Sequence, residues 1–308
     1  MNKIAKAKVP FIFVWLFDTL AVFINFLFKR RKLTASHGFD EPFFIIGSGR
    51  SGNTLLRSML IASNEVSIPP ESYVWPRIIR RFRTYSFLPW EICCSMVISE
   101  FEAYKEFYTW DINLYFAHQR CRKLSVKNRT LSNILHVIYS TYGDEKGKSG
   151  LRWGDKTPIN TIYIDKIYKI FPKAQFIHIV RDPLDVVCSY VKAGLYDDYE
   201  SAALFWNSAT ERAKKLGRRL PKNQFLEIKY EQLVSSPTEV LKEVCAFLGI
   251  TYSDSILDFW MNKGHLGDVD FKAHHKNLGK PVSTDSIGKW KSVLSTEEVN
   301  RLNKILKR

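Results

Sequence analysis

The stretch FFIIGSGRSGNT, residues 43–54, joins an apolar run to a glycine-rich loop. Its last eight residues approach the phosphate-binding pattern G-x-x-x-x-G-K-[ST], with Gly47, Gly52 and Thr54 in register. Asn53 stands where the pattern has a lysine that reaches the outer phosphates of a nucleoside triphosphate. Backbone N–H groups at a strand-to-helix turn bind anions, and glycine allows the ligand to come close. The stretch therefore predicts an anion-binding loop that lacks the lysine of ATPases and GTPases.

A second apolar run also ends in a cation instead of a metal ligand. In P-loop ATPases a strand that ends in Asp holds Mg²⁺, and the nearest match here is FIHIVRD, in which Arg181 precedes Asp182. Arg181 at this strand end, like Arg50 inside the glycine loop, suits an anionic ligand better than a metal. The two stretches together predict a nucleotide held by arginines, and we expect no metal site.

Strands alternate with helices along the chain. The apolar run 43–46, QFIHIV at 175–180 and QFLEIKY at 224–230 predict buried strands, and each precedes a helical pattern. Residues 71–170 carry mostly helical patterns. Because strands that alternate with helices form a parallel sheet between two helical layers, the sequence predicts an α/β fold of the P-loop type. This is a three-layer sandwich with a central parallel sheet flanked by helices.

The N-terminus differs in composition from the rest of the chain. An apolar run of 18 residues, 11–28, contains Asp18 and Asn25 and is followed by KRRK at 29–32. Its length is near the lower limit for spanning a bilayer, and a charge near the middle costs roughly 2.5–3.5 kcal/mol. A short single-pass anchor, a helix lying in the interface and a buried helix all stay open, and we expect membrane association. The basic residues after the run slightly favour a globular part on the cytoplasmic side.

The composition fits a large globular domain with anionic partners. The chain has 308 residues, 45% of them hydrophobic, and 46 Lys+Arg against 31 Asp+Glu give a net charge of +15. Such a balance points to nucleotide phosphates, nucleic acid, acidic glycans or a lipid surface without choosing among them. The five cysteines form neither a disulfide framework nor a metal-binding spacing, which is typical of a reduced, cytosolic chain.

Two segments resemble the nucleotide-binding elements of sulfotransferases that use 3′-phosphoadenosine 5′-phosphosulfate (PAPS). They are IGSGRSGNTLLRSML and, downstream, IHIVRDPLDVVCSY. The resemblance, closest to the tyrosylprotein branch and its bacterial relatives, extends to YEQLV at 230–234 and KPVSTDSIGKW at 280–290. It implies that the glycine loop binds the 5′-phosphosulfate and that Arg181, Ser189 and Lys289 bind the 3′-phosphate. The implied nucleotide-binding residues are Arg50, Ser51, Gly52, Asn53, Thr54, Arg181, Ser189, Tyr230 and Lys289.

The same resemblance assigns the catalytic roles. PPESYVWPRIIRR looks like the family segment with the catalytic glutamate, which makes Glu71 the general base and Arg77 an acceptor contact. GDKTP resembles the segment whose lysine stabilises the transition state, here Lys156. Sulfuryl transfer needs cations and N–H donors around the moving group and a base for the acceptor hydroxyl. Arg50, Lys156 and Glu71 are therefore the expected catalytic residues, and magnesium is dispensable because SO₃ carries less charge than a phosphoryl group.

The late loop departs from the family at one position. Six residues before its Lys-Pro-Val the family has a transition-state serine, whereas this chain has His274, followed by His275. Ser283 and Ser286 are nearby candidates for that role, which stays open. Residues 264–290 form a long irregular segment, either a lid or binding loop or a plain surface loop.

These observations predict an N-terminal hydrophobic segment and linker at 1–40 and a sulfotransferase domain at 41–308. The predicted function is sulfuryl transfer from PAPS to an acceptor hydroxyl, that of a saccharide or glycolipid near a membrane. One alternative is a tyrosylprotein sulfotransferase, because the basic RIIRRFR beside Glu71 suits an acidic peptide, as it equally suits an anionic glycan or glycolipid. Alternatives from other classes are a P-loop nucleotide phosphotransferase or hydrolase and a binding protein without catalysis. The expected partners are the nucleotide, the acceptor and a membrane contacted through 11–28, with no nucleic acid. The expected location is a membrane, with the catalytic domain on its cytoplasmic side.

Overall fold

A computed structural model describes most of the globular part of the chain. The described residues are 12–13, 15–16, 19–20, 31–35, 41–261, 267 and 279–306. The predicted membrane segment 11–28 and His274 with His275 thus lie largely or wholly outside the described residues. Across the part that is described, no helix is long and apolar enough to cross a bilayer.

Five parallel strands form one central sheet in the order β2-β3-β1-β4-β5. The strands are β1 (Phe43–Ile46), β2 (Val66–Ser67), β3 (Arg152–Lys156), β4 (Gln175–Val180) and β5 (Phe225–Lys229). β1 occupies the centre, with Phe43 opposite Gly154 of β3 and Gln175 of β4. The parallel strands place every carboxyl end at the same edge of the sheet.

Eleven helices of the described chain surround the sheet. They are α1 (Asn53–Ala62), α2 (Trp75–Tyr85), α3 (Trp90–Glu102), α4 (Tyr115–Arg122), α5 (Leu131–Glu145), α6 (Ile164–Ile170), α7 (Pro183–Lys192), α8 (Tyr199–Gly217), α9 (Tyr230–Ser235), α10 (Pro237–Leu248) and α11 (Thr296–Ile305). Short 3-10 turns at Phe107–Trp110, Val126–Asn128, Pro158–Tyr163, Asp254–Met261 and Lys289–Ser292 complete the regular structure.

Side chains of β1 alternate between the two faces of the sheet. Phe44 and Ile46 pack into a core formed mainly with α2 to α6, whereas Phe43 and Ile45 pack against α1 and α10. All four side chains are at most 1% exposed, as expected for a strand covered by helices on both faces. A third apolar cluster joins α7, α8 and α11. The predicted three-layer arrangement is therefore confirmed.

The strand predictions differ in quality. β1 and β4 have the predicted bounds, and β5 is one residue shorter at each end than predicted. The prediction that residues 71–170 are mostly helical is right except for β3, which runs through RWGDK at 152–156. β3 has no continuous apolar run, because it contains Asp155 and Lys156. Both are buried, and their partners are described with the site.

Candidate active site

A cavity of about 840 Å³ opens at the carboxyl edge of the sheet. Its walls come from the segments that follow β1, β2, β3, β4 and β5, together with the described part of the late loop. The predicted site residues that line it are Arg50, Gly52, Asn53, Thr54, Glu71, Arg181, Tyr230 and Lys289. The topology thus brings together side chains that lie far apart in sequence.

The loop after β1 has the strained backbone of an anion-binding turn. Gly52, the N-cap of α1, has φ 98, and a Cβ there would lie 2.5 Å from the Tyr230 ring. Arg50 is left-handed as well, with φ 66, which is uncommon for a residue with a side chain. The side chains of Ser48 and Ser51 hydrogen bond to each other at 2.8 Å, and Asn53 donates to the Ser48 carbonyl at 2.8 Å. These bonds fix the loop with its N–H groups at the start of α1.

Two arginines meet at this loop, Arg50 within it and Arg181 after β4. Arg181 donates to the Arg50 carbonyl at 3.0 Å, and Arg50 Nε donates to Ser189 Oγ at 3.1 Å. Burial first, and then the charge of Arg181, hold the pKa of Arg50 below its ordinary value. The buried Nε of Arg181 has no hydrogen-bond partner among the described residues. Two neighbouring cations, one buried and one half-buried, fit an anionic group such as a phosphate.

Glu71 and Lys156 form a buried ion pair on the other side of the loop. Lys156 Nζ lies 2.5 Å from Glu71 Oε1 and donates to Thr54 Oγ1 at 3.2 Å. Tyr73 donates its hydroxyl to the other carboxylate oxygen, Glu71 Oε2, at 2.7 Å. Lys156 is fully buried at the end of β3. The loop has Asn53 in place of a lysine, and a buried lysine of the neighbouring strand β3 lies beside it at Thr54.

A polar network lies beneath Lys156. The buried Asp155 carboxylate accepts hydrogen bonds from Tyr139 at 2.7 Å, Asn160 at 2.9 Å and Thr157 at 3.3 Å. Thr157 also accepts from the backbone N–H of Ser72 at 3.0 Å, next to Glu71. Burial raises the pKa of Asp155 to about 6 in spite of these bonds. The network joins β3 to the segment that carries Glu71.

The described part of the late loop is held over the cavity by one buried carboxylate. Asp185 on α7 accepts from the backbone N–H of Gly288 at 2.7 Å and from that of Trp290 at 3.0 Å. Arg181 NH2 donates to the Ser286 carbonyl at 2.5 Å and lies 3.9 Å from Asp185. These contacts place Lys289 in the cavity wall near Arg181.

Tyr230 and Arg77 differ in how well the structure fits their predicted roles. The Tyr230 ring lies 4.6 Å from the Arg181 guanidinium and lines the cavity. Arg77, on α2, forms an ion pair with the buried Glu100 of α3 and is not among the described cavity residues. Its role as an acceptor contact stays a prediction.

Aromatic and polar side chains form the wall beside Glu71. The rings of Tyr73 and Tyr104 lie 6.0 Å apart, and Tyr104 donates its hydroxyl to Glu106 at 3.2 Å. Lys105 Nζ lies 3.8 Å from Glu106. These four residues border the same cavity as the glycine loop and leave room for a second ligand next to the carboxylate of Glu71.

Comparison with known proteins identifies the family. The model of the sulfotransferase family matches residues 42–254, which contain the whole sheet and most of the cavity wall. The chain belongs to the sulfotransferase family. The resemblance seen in the sequence motifs is thereby confirmed.

Curated relatives of this chain include protein-tyrosine sulfotransferases from animals. The Drosophila melanogaster protein is 25% identical over 83% of this chain and 48% of its own length. Protein-tyrosine sulfotransferase 2 of Gallus gallus is 24% identical over 80% of this chain and 62% of its own length. The chain thus spans between about half and three fifths of the length of these two relatives.

Solved structures agree on the fold of this sulfotransferase. The sulfotransferase domain of the Synechococcus PCC 7002 olefin synthase matches with a TM-score of 0.63 and 22% identity, over 89% of this chain and 98% of that one. The sulfotransferase domain of the curacin biosynthetic pathway has a TM-score of 0.58 and 20% identity, over 89% of this chain and 97% of that one. At these identities the similarity establishes the three-layer fold.

Several side chains that shape the site were missed in the sequence. Tyr190 hydrogen bonds to the backbone of Gly49 and to Ser48, and Thr161 exchanges two bonds with the backbone of Gly47, at 2.9 and 3.0 Å. Tyr73 positions Glu71, and Asp185 positions the late loop. Tyr73 lies two residues after Glu71, and Asp185 lies within the motif IHIVRDPLDVVCSY. Their closeness to predicted site residues was the sequence signal that could have identified them.

Proposed function

We propose that this sulfotransferase moves a sulfuryl group from PAPS to the hydroxyl of a saccharide or glycolipid. One observation carries the proposal. Glu71, which is paired with the buried Lys156, and two neighbouring arginines, the half-buried Arg50 of the glycine-rich loop and the buried Arg181, line the same cavity. The first pair fits the chemistry at an acceptor hydroxyl, and the second fits an anionic nucleotide.

The nucleotide end is supported by the donors that surround it. Arg181 has an unpartnered buried Nε, Ser189 is held by Arg50, and Lys289 lines the wall beside them. Together they supply cations and hydroxyl donors for a 3′-phosphate. The N–H groups of residues 51–54 at the start of α1 suit the 5′-phosphosulfate, because a helix N-terminus favours an anion. Tyr230 offers a ring beside Arg181.

The proposed reaction is a direct displacement that uses Glu71, Lys156 and Arg50. The Glu71 carboxylate takes the proton from the acceptor hydroxyl as the new O–S bond forms. The S–O bond to the 5′-phosphate breaks, and 3′-phosphoadenosine 5′-phosphate leaves with the bonding electrons. Lys156, within 3.2 Å of Thr54 in the loop, stabilises the charge on the leaving oxygen, and Arg50 stabilises the sulfuryl oxygens. No metal takes part in this scheme, and activity in the presence of a chelator tests that point.

A saccharide acceptor is favoured by the wall beside Glu71. Tyr73 and Tyr104 line the cavity there, where aromatic rings suit the C–H faces of a sugar, and Glu106 offers acceptor oxygens for sugar hydroxyls. An acidic peptide would meet the Glu106 carboxylate on this wall, with Lys105 as the neighbouring cation. Arg77 and Arg81, the nearest basic residues of α2, are both paired with Glu100.

A tyrosine peptide is the second candidate acceptor, and the curated relatives named protein-tyrosine sulfotransferases favour it. An activity assay distinguishes the two acceptors. The full chain is incubated with ³⁵S-labelled PAPS and with saccharides, glycolipid extracts or acidic tyrosine peptides. Label on saccharide or glycolipid that falls at least tenfold in Glu106→Gln supports the first acceptor. Glu102→Gln, which changes an exposed carboxylate outside the cavity, is the matched control. Label on the peptides alone would replace the first acceptor with the second.

The class of enzyme is tested by ligand binding. Thermal stabilisation by 3′-phosphoadenosine 5′-phosphate supports a sulfotransferase, whereas stabilisation by ATP·Mg²⁺ alone would support a phosphotransferase or hydrolase. Binding of the bisphosphate without transfer to any acceptor would support a binding protein.

Membrane association through residues 11–28, with the catalytic domain on the cytoplasmic side, is also part of the proposal. The apolar run and the four basic residues after it support this orientation. Protease protection in sealed membrane vesicles tests it, since a cytoplasmic domain is digested from that side only.

A further inference from the structure

The cavity has a second wall, formed by α7, α8 and the turn between them. Within residues 183–217, the described side chains that line the cavity are Tyr190, Leu195, Tyr196 and Phe205, and none of them is charged. The ring centroids of Tyr190 and Tyr196 lie 5.0 Å apart, and that of Phe205 lies 6.0 Å from the first and 5.8 Å from the second. We call these four residues the α7–α8 wall. No step of the proposed reaction uses it.

The α7–α8 wall is anchored at the glycine-rich loop. The Tyr190 hydroxyl hydrogen bonds to the backbone of Gly49, and a Cβ on Gly49 would lie 2.7 Å from that hydroxyl. The backbone N–H of Leu195 donates to the Tyr190 carbonyl at 3.1 Å. Tyr190 is buried, Tyr196 and Phe205 are half-buried, and Leu195 is 53% exposed. The wall therefore forms an apolar surface that extends from solvent to the loop.

The turn that follows β3 adds further apolar lining. α8 packs against α7 and against the turn Pro158–Tyr163. Pro158 and Ile159 of this turn line the cavity, and they follow Lys156, the partner of Glu71, by two and three residues. An acceptor whose hydroxyl lies at Glu71 therefore has apolar lining in the same cavity for the rest of its structure.

The apolar residues around Tyr230 form a separate group. Tyr230, Val234, Phe259 and Val282 line the cavity and belong to the apolar cluster of α1 and α10, whereas the three rings of the α7–α8 wall belong to the cluster of α7, α8 and α11. The Tyr230 ring lies 4.6 Å from the Arg181 guanidinium, so the first group suits the adenine base of PAPS. The α7–α8 wall is then available to the acceptor.

We propose that the α7–α8 wall binds an apolar chain of the acceptor, so that the acceptor is a saccharide that carries an alkyl or acyl chain. The inference rests on the proposed function and decides between a free saccharide and a glycolipid. The sugar lies along Tyr73, Tyr104 and Glu106, and the chain leaves the cavity over Leu195. Burial of the chain against apolar side chains is favourable, whereas an acidic peptide would find no cation on this wall.

Binding of matched glycosides tests the proposal. The full chain, saturated with 3′-phosphoadenosine 5′-phosphate, is titrated calorimetrically with methyl and octyl β-D-glucoside and with the same pair of galactosides. The octyl compounds are kept below the concentration at which they form micelles. Because each buried methylene group strengthens binding about fourfold, we expect the octyl glycoside of at least one sugar to bind tenfold or more tightly than its methyl counterpart.

Leu195→Asn is the variant that tests the wall itself. We expect it to reduce the ratio of octyl to methyl affinity at least fivefold, because the chain then meets a polar side chain. Leu204→Asn is the matched control, since Leu204 is 60% exposed on α8 and is not among the described cavity residues. Phe205→Ser should reduce the ratio as well. The affinity of each variant for 3′-phosphoadenosine 5′-phosphate is the second measurement, and we expect it to equal that of the wild type.

Three results would overturn the proposal. They are equal affinity of the methyl and octyl glycosides or no binding of either, an equal ratio in Leu195→Asn and Leu204→Asn, and a loss of nucleotide affinity in Leu195→Asn and Phe205→Ser. The last result would assign the α7–α8 wall to the nucleotide.

Transfer of labelled sulfate distinguishes a failure of this inference from a failure of the proposed function. Transfer to methyl and octyl glycosides with equal kcat/KM would keep the saccharide acceptor and contradict the apolar subsite. Tight binding of the octyl glycoside that depends on Leu195, without transfer to any glycoside, would support the subsite and contradict the saccharide acceptor.

Discussion

Lys156 Nζ lies 2.5 Å from Glu71 Oε1, and their side chains are 0% and 9% exposed. The pair joins the end of β3 to the segment after β2 and borders the glycine loop through Thr54. A buried ion pair contributes little net stability when complete, but removal of one partner leaves an uncompensated charge. The pair therefore couples the stability of the fold to the geometry of the site.

Lys156→Met is expected to destabilise the protein by about 3–5 kcal/mol, because Glu71 then remains buried without its cation. Denaturant unfolding with and without the second substitution Glu71→Gln measures this coupling. The double variant is expected to regain part of the lost stability. If Lys156→Met alone left the unfolding midpoint unchanged, the ion pair as described would be wrong.

Gly52→Ala is expected to lower both stability and nucleotide affinity. The new Cβ would meet the Tyr230 ring at 2.5 Å, and φ 98 strains any side chain there, together costing about 1–3 kcal/mol. Gly249→Ala, with φ 71 and open space around it, carries backbone strain alone and serves as the control. Calorimetric titration with 3′-phosphoadenosine 5′-phosphate should show weaker binding in the first variant only.

Asp185→Asn is expected to weaken nucleotide binding by roughly 10- to 100-fold, since hydrogen bonds to charged groups contribute about 1.5–3 kcal/mol. The amide loses one of the two acceptors that hold Gly288 and Trp290, and with them the loop that carries Lys289. Asp198→Asn, which changes the exposed N-cap of α8, is the control and should not alter the affinity. Equal nucleotide affinity in both variants would show that the loop does not depend on Asp185.

Asp155 gives the protein a stability that depends on pH. Burial raises its pKa to about 6, above the ordinary value of 3.8, so the folded state holds the proton more tightly than the unfolded state. Its contribution is fully present below pH 3.8 and is lost as the pH rises through 6; two pKa units correspond to about 3 kcal/mol. Asp155→Asn should therefore lose more stability relative to the wild type at pH 4 than at pH 8. Unfolding free energies at both values measure this, and equal differences would exclude the shift.

The sequence was most informative for elements whose residue pattern follows directly from burial or from phosphate binding. β1 is a continuous apolar run and β4 is a mostly apolar one, and both are covered on both faces, so the apolar pattern predicted their bounds. The glycine loop and Arg181 followed from the chemistry of phosphate binding. These elements needed no knowledge of distant contacts.

β3 could not be predicted in the same way. Its residues Asp155 and Lys156 are polar, and they are buried because Tyr139, Asn160 and Glu71 satisfy them. Such partners come from other parts of the chain and leave no periodic signal, as is usual where a site overrides local preference. Arg77 shows the converse. A motif suggested an acceptor contact, the fold gives this side chain an ion pair with Glu100, and the acceptor role stays a prediction.

Glu71→Gln provides the most direct measurement of the central claim. The variant keeps the shape of the side chain and removes the base, so transfer of labelled sulfate from PAPS should fall by about 10²- to 10⁴-fold. Binding of 3′-phosphoadenosine 5′-phosphate should stay close to that of the wild type, whereas Arg181→Gln should weaken it. Unchanged transfer by Glu71→Gln, or an equal loss of nucleotide affinity in both variants, would contradict the account.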